Sequence, residues 1–332
     1  MKLLSIHNHK AVRMTVILIV AVCIDVSAQL EPLSTQYLNS QLMINPGYAG
    51  TRNAFSVNMG TRQQWMGIKG APVNYTLSVS TPLNKSMASV GGAVSVYKAG
   101  PVQNSYLDLY YAYLIRINHN TFISFGLSGQ VNLYGFSDQT FDLIDENDPY
   151  FVFDVKNKVN ANAGAGVFLY TPKFYLGLSV PHILATKYKT KEDEDLISGL
   201  DRHYYLTSGY VIDMNKKMYL KPSFLFRYAE SGLYSLDVNA QMYFNHTFWI
   251  GTSYRINKTV AFMGGVLISK TLAVTYSYDF PLPDEPYIRN GSHEITLVFD
   301  TSKWLKKNKD RMFRKKKAKK DEEEGIKSIR YF

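Results

Sequence analysis

The feature that most constrains this 332-residue chain is a period-two alternation of apolar with small or polar side chains, repeated from Ala54 to Phe299. Val73, Tyr75, Leu77 and Val79 alternate with Asn74, Thr76, Ser78 and Ser80; Tyr234, Leu236, Val238, Ala240, Met242 and Phe244 oppose Ser235, Asp237, Asn239, Gln241 and Tyr243. Ile123, Phe125, Leu127 and Val131 repeat it, as do Leu272, Val274, Tyr276, Tyr278 and Phe280. Successive side chains of a β-strand point to opposite faces, so each segment has one apolar face and one small or polar face. Turn signals separate the segments. No apolar run reaches the roughly 18 residues of a spanning helix. Aromatics at 14%, with 25 tyrosines, exclude a disordered chain. One cysteine, Cys23, excludes a disulfide scaffold.

Two architectures use this pattern. In a soluble sandwich the apolar faces pack on each other; in an outer-membrane barrel they face lipid and the polar faces line the lumen. Most segments run about nine to thirteen residues, enough to cross a bilayer at a tilt. Aromatics recur at segment ends, as at Tyr97, Phe168 with Tyr170, Tyr204-Tyr205, Phe248-Trp249 and Phe280, where interfacial girdles would sit. The polar faces carry few charges, which suits a narrow interior. Strands are predicted near 54–62, 73–80, 88–97, 104–116, 121–133, 159–170, 173–180, 203–212, 217–227, 233–244, 247–256, 259–268, 271–280 and 292–299. That makes fourteen, an even number. With the N-terminus in the periplasm, the even-numbered connections are all short, and the odd-numbered ones include Tyr134–Lys158, Pro181–Arg202 and Pro281–Gly291. Short periplasmic turns and longer outer loops belong to a transmembrane antiparallel barrel. The fold expectation is therefore all-β, an outer-membrane barrel of about 14 strands over 54–299.

The two ends read differently. Lys2, Lys10 and Arg13 precede the apolar run Val16–Val22, and Val26-Ser27-Ala28 supplies small residues before a cleavage point, so 1–28 reads as a signal peptide. Asp25 and the short core argue against a retained anchor. Residues 29–53 are expected as a periplasmic N-terminal segment, and 300–332 as a basic then acidic periplasmic tail. The net charge of +10 belongs mostly to that tail, which holds thirteen basic and six acidic side chains; residues 29–299 hold 21 and 20. The body thus offers no basic stripe for nucleic acid.

The most distinctive stretch is Asn45-Pro46-Gly47-Tyr48-Ala49-Gly50, followed by Arg62 to Pro72. Glycines beside a proline allow a tight backbone path before the first strand. Arg62 is suited to a charge-assisted contact at a strand end, and Trp65 to anchoring a rim loop. Arg62, Gln64 and Trp65 are the leading partner-binding candidates, an ordered loop without ligand being the plain alternative. In the tail, Lys315, Lys316 and Lys317 precede Glu322-Glu323-Glu324, and Tyr331 and Phe332 end the chain. A solubilising tail would look like this; so would a docking arm, steered by its charge blocks and anchored by its apolar end.

Signals of chemistry are absent. His182 and His293 lie in no metal-ligand spacing and read as hydrogen-bonded rim residues. Glu192–Asp195 and Asp142, Asp145, Glu146 and Asp148 lack the glycine punctuation of a calcium loop and read as solvated loops. Gly91-Gly92 and Gly264-Gly265 sit inside strands, where a bend or close packing is the usual cause, and no Gly-x-Ser-x-Gly elbow appears. No cofactor, metal or catalytic residue is expected.

Gln36 to Gly50, Arg62-x-Gln64-Trp65-x-Gly67 to Ala71-Pro72, Val180-Pro181-His182, Gly291–Ile295 and Arg330-Tyr331-Phe332 together resemble the PorP/SprF family, membrane components of the type IX secretion system of Bacteroidetes. The resemblance covers nearly the whole chain after residue 28. It implies a non-enzymatic outer-membrane protein supporting secretion or surface attachment of particular cargo proteins, adhesin-like in some relatives with gliding motility. It also implies contact with periplasmic and outer-membrane parts of the machine. A terminal Phe, Phe299 or Phe332, would serve barrel assembly. Rival readings are a channel or transporter of small solutes, a barrel enzyme, and a secreted sandwich.

Overall fold

A computed structural model describes residues 34–83, 86–136, 158–184, 186–189, 196–200, 202–256, 258–282 and 290–301. The expected leader, the tail beyond residue 301 and residues 137–157 of the expected 134–158 loop lie outside the described residues.

Fourteen antiparallel strands close on themselves. They are β1 Ser56–Gln63, β2 Val73–Pro82, β3 Ala88–Ala99, β4 Val102–Arg116, β5 Phe122–Phe136, β6 Lys158–Tyr170 and β7 Phe174–Val180. There follow β8, in two pieces, His203–Tyr210 and Ile212–Asn215, then β9 Met218–Ala229, β10 Tyr234–Phe244 and β11 Phe248–Arg255. The last are β12 Thr259–Leu267, β13 Leu272–Pro281 and β14 Ser292–Asp300. Each strand pairs with its sequence neighbours, and β1 pairs with β14 from Ser56↔Asp300 to Gln63↔His293, so the sheet has no free edge. The predicted strands match within a few residues. The 181–202 connection, expected as a loop, contains a small hairpin of Thr186–Lys189 with Leu196–Leu200. Its strands are too short to show the alternation.

Burial is inverted relative to a soluble protein. Leu109, Leu127 and Val159 are each more than 60% exposed, whereas Ser124, Asn132, Asn239 and Ser277 are buried. An apolar outer belt around a polar interior is the arrangement a lipid-facing barrel requires. The aromatic segment ends divide: Phe248 and Phe280 face outward, but Phe168, Tyr170, Tyr205 and Trp249 point into the lumen. Those four do not form a girdle, because they occupy the inward phase of the two-residue repeat.

The N-terminal segment also differs from expectation. Residues 34–53 do not project from the barrel end; they fold inside it, with Thr35, Gln36, Tyr37, Leu38, Gln41, Asn45 and Tyr48 all buried. One short helix, α1 Gln41–Ile44, and a 3₁₀ turn, Pro46–Tyr48, give this segment its shape. Among the described residues no helix is long and apolar enough to cross a membrane.

Candidate functional site: the filled lumen and its charge belt

The segment runs the length of the lumen. At residue 52 it lies at the end bearing the short turns, where Arg52 Nη2 is 2.8 Å from Asp300 Oδ2. At residues 34–36 it has reached the other end, near the long connections. There the Ser34 hydroxyl donates to Glu294, the Thr35 amide donates to Glu294 Oε2 at 2.8 Å, and the Thr35 hydroxyl donates to Asp279 at 2.7 Å. Between these ends, Asn239 Nδ2 donates to the Tyr37 hydroxyl at 2.6 Å, and the Ser179 hydroxyl donates to Ile44 O at 2.8 Å.

The Asn-Pro-Gly-Tyr turn is seated by backbone contacts. Asn45 caps it, accepting from the Gly47 amide at 2.8 Å, and its amide donates to Val167 O at 3.0 Å and Leu178 O at 3.2 Å. A side-chain amide thus binds the wall of β6 and β7. Gly126 on β5 makes room: a Cβ there would lie 2.2 Å from Gly47 N and from the Pro46 carbonyl carbon. Tyr48 meets Phe168 edge-on at 5.3 Å, and Phe168 stacks on Tyr175 at 5.6 Å. Burial pushes the Tyr37 phenol pKa well up and raises that of Tyr48. Burial works to lower the Arg52 pKa, but the Asp300 carboxylate and Tyr48 outweigh it and keep the guanidinium charged.

Above this seat runs a belt of six charges on the inner wall. Arg62 on β1 reaches Glu294 on β14 at 3.3 Å and Asp279 on β13 at 2.7 Å. Arg255 on β11 lies 3.7 Å from Asp279 and binds Asp237 on β10 through Nε and Nη2, both at 3.0 Å. Arg227 on β9 closes the series on Asp237 at 3.1 Å. Three arginines face three carboxylates, all buried. Such charges are tolerated in a low-dielectric interior only when paired and hydrogen-bonded. The belt therefore ties together six wall strands, β1, β14, β13, β11, β10 and β9, bridging over β12, and offers Glu294 and Asp279 as the acceptors that hold residues 34–36.

The sequence candidates separate. Arg62 lies inside the barrel, in the belt. Gln64 and Trp65 lie beyond it in the 64–72 connection, partly buried, with Gln64 N bonded to Pro72 O at 2.9 Å and Trp65 at φ 47°. Met66 and Ile68 are exposed there. Lys315, Lys316, Lys317, Tyr331 and Phe332 lie outside the described residues. His293 accepts or donates to the Tyr276 hydroxyl at 2.7 Å on the outer wall. Asp237, Asp279, Arg227, Arg255 and Glu294 were not singled out by sequence reasoning. Their signal is sparseness, one or two charges on inward faces whose other residues are mostly uncharged.

A family model described as type IX secretion system membrane protein PorP/SprF matches residues 26–299. No curated protein matches in sequence. Among solved structures the chain is similar to the outer membrane protein Omp33 of Acinetobacter baumannii, at 7% identity and a TM-score of 0.44, over 75% of this chain and 99% of that one. It is also similar to the toluene transporter TodX of Pseudomonas putida, at 12% identity and 0.46, over 79% and 92%. The toluene transporter TbuX of Ralstonia pickettii aligns at 8% identity and 0.48, over 78% and 92%.

Proposed function

Because the chain belongs to the PorP/SprF family of type IX secretion system membrane proteins, we propose that it works in the outer membrane by binding rather than by conduction or catalysis. It is an accessory or anchor that supports secretion or surface attachment of particular cargo proteins, adhesin-like in kind. The observation that carries this reading is the occupied lumen: residues 34–53 thread it from end to end and are held by the belt through Glu294 and Asp279. A barrel braced from within suits a rigid platform. The 64–72 connection with Gln64 and Trp65 lies at the outer end, and the sequence candidates Lys315, Lys316, Lys317, Tyr331 and Phe332 are proposed to act on the periplasmic side. Those surfaces are the proposed contacts with cargo and with machine components. The rival, a channel for small solutes, requires residues 34–53 to leave the lumen.

Affinity isolation from detergent-solubilised outer membranes tests this, comparing the full chain with one ending at Asp300. Heat-modifiability and immunoblotting confirm equal insertion. Secretion-system components should co-purify with the full chain and be lost with the truncation. Absence of such components from both preparations, together with ion conductance in planar bilayers, would overturn the reading in favour of the channel.

A further inference from the structure

The short-turn end of the barrel carries a cationic arc at the edge of its apolar belt. β7 ends at Phe174, paired with Tyr210 of β8. The second piece of β8, Ile212–Asn215, runs on past it, paired with β9 alone and exposed at all four residues. With the turn that follows it forms a prong: Ile212 and Met214 are exposed along it, and Lys216 and Lys217 at its tip. The next two turns are joined to the prong. Asn245 N donates to Lys217 O at 2.7 Å, and Leu267 N donates to Thr247 O at 2.7 Å. The second bond brings in the β12–β13 turn, where Ile268 and Lys270 are exposed. Lys216, Lys217 and Lys270 therefore stand on one hydrogen-bonded arc, not on three independent loops.

This end is short of carboxylates. Its described cations include Arg116, Lys173, Lys216, Lys217 and Lys270, against the described carboxylates Asp213 and Asp300. Asp213 pairs with Lys173 at 2.7 Å and Asp300 with Arg52 at 2.8 Å, so neither serves the three lysines of the arc. Beside those lysines the apolar outer wall ends in Met214, Phe248 and Ile268, exposed by 57%, 45% and 62%. Apolar side chains adjoining lysines suit the boundary between hydrocarbon and headgroups, where the former sit among acyl chains and the ammonium groups reach the phosphates. An acidic protein docking from water would leave those apolar residues without a use. The short turns of such barrels lie on the periplasmic side, so the leaflet at this end is the inner one.

We propose that the arc of Lys216, Lys217 and Lys270 binds the phosphates of anionic phospholipids in the inner leaflet of the outer membrane, with Ile212, Met214 and Ile268 seated among the adjoining acyl chains. Because the three turns are hydrogen-bonded to one another, the arc sets the depth and tilt of the barrel at that leaflet. Each lysine near an anionic leaflet contributes about fivefold in affinity, and salt screens the effect.

Native mass spectrometry of the purified full chain tests this apart from any secretion role. The detergent-solubilised protein is exposed to equal amounts of phosphatidylglycerol and phosphatidylcholine bearing the same acyl chains, and the lipid retained is counted. Phosphatidylglycerol should be retained in preference, less so as the salt of the mixture is raised. Lys216→Gln/Lys217→Gln should cut the preference at least about tenfold, and Lys270→Gln about fivefold. All three positions are exposed, so the variants should insert, which heat-modifiability checks; Lys270→Gln decides the matter if the pair does not. Lys69→Gln/Lys98→Gln, exposed at the long-connection end, is the control and should keep the wild-type preference. Equal retention of both lipids, a preference unchanged in the arc variants, or an equal loss in the control pair would overturn the proposal. A poly-glutamate peptide is the second probe. If it bound through the arc lysines while the chain showed no lipid preference, the arc would belong to an acidic polypeptide instead.

Discussion

Arg62 and Asp279, 217 residues apart in the chain, meet inside the barrel at 2.7 Å. β1 and β13 are not paired; β14 lies between them, and the guanidinium bridges over it while also touching Glu294. The same Asp279 accepts from Thr35. One carboxylate thus ties two arginines of the wall to the segment that fills the lumen.

Asp279→Ala removes the acceptor shared by Arg62, Arg255 and Thr35 and leaves three buried guanidinium groups facing two carboxylates. Breaking a buried pair on one side costs about 3–5 kcal/mol. A marked fall in the midpoint of the heat-modifiability transition is expected. The double variant Asp279→Ala/Arg62→Ala should cost less than the sum of the singles, since each single change strands the other's partner. Strict additivity would mean that the belt is not a coupled unit.

Gly126→Val places side-chain carbon where the Pro46–Gly47 backbone now runs. The barrel wall can keep its ladder, so heat-modifiability should persist while the Asn-Pro-Gly-Tyr turn is expelled. The expected result is ion conductance in planar bilayers, with a silent wild-type protein beside it. If the inserted variant stayed silent and its residues 34–53 stayed protected from protease, the turn would not be what closes the lumen.

The buried phenols make the filled lumen sensitive to alkali. The folded protein holds the Tyr37 and Tyr48 protons more tightly than the unfolded chain, whose tyrosines titrate near about 10. Below that pH both states are protonated and the stability from neutral phenols is fully present. As pH rises from about 10 toward the raised folded values the unfolded state is favoured by proton release. The heat-modifiability midpoint should therefore fall above about pH 10, and Tyr37→Phe should make that fall shallower. An unchanged alkaline profile in an inserted Tyr37→Phe would exclude Tyr37 as a contributor.

Leu109, 65% exposed midway along β4, tests the lipid-facing assignment. Arginine at the bilayer midplane of such a barrel costs about 2–4 kcal/mol. Leu109→Arg should lower insertion and stability in vesicles. In a water-soluble sandwich the same exposed change would be close to neutral.

The alternation by itself determined the strands, their number and which face of each is apolar, because a two-residue period is a local property written into consecutive side chains. It also pointed to the Asn45–Gly50 stretch as unusual. Tertiary closure decided what that stretch does. The repeat states that Asp237, Asp279 and Glu294 turn inward, but not that Arg62, Arg227 and Arg255 are their partners. Nor does it show that residues 34–53 fill the space enclosed. The contacts of Arg62 and Thr35 with Asp279 and Glu294 join residues from opposite ends of the chain, and they exist only once β1 has paired with β14 and the register around the ring has set the height of every inward side chain. Pattern is carried by neighbours in sequence; a lumen is made by neighbours in space.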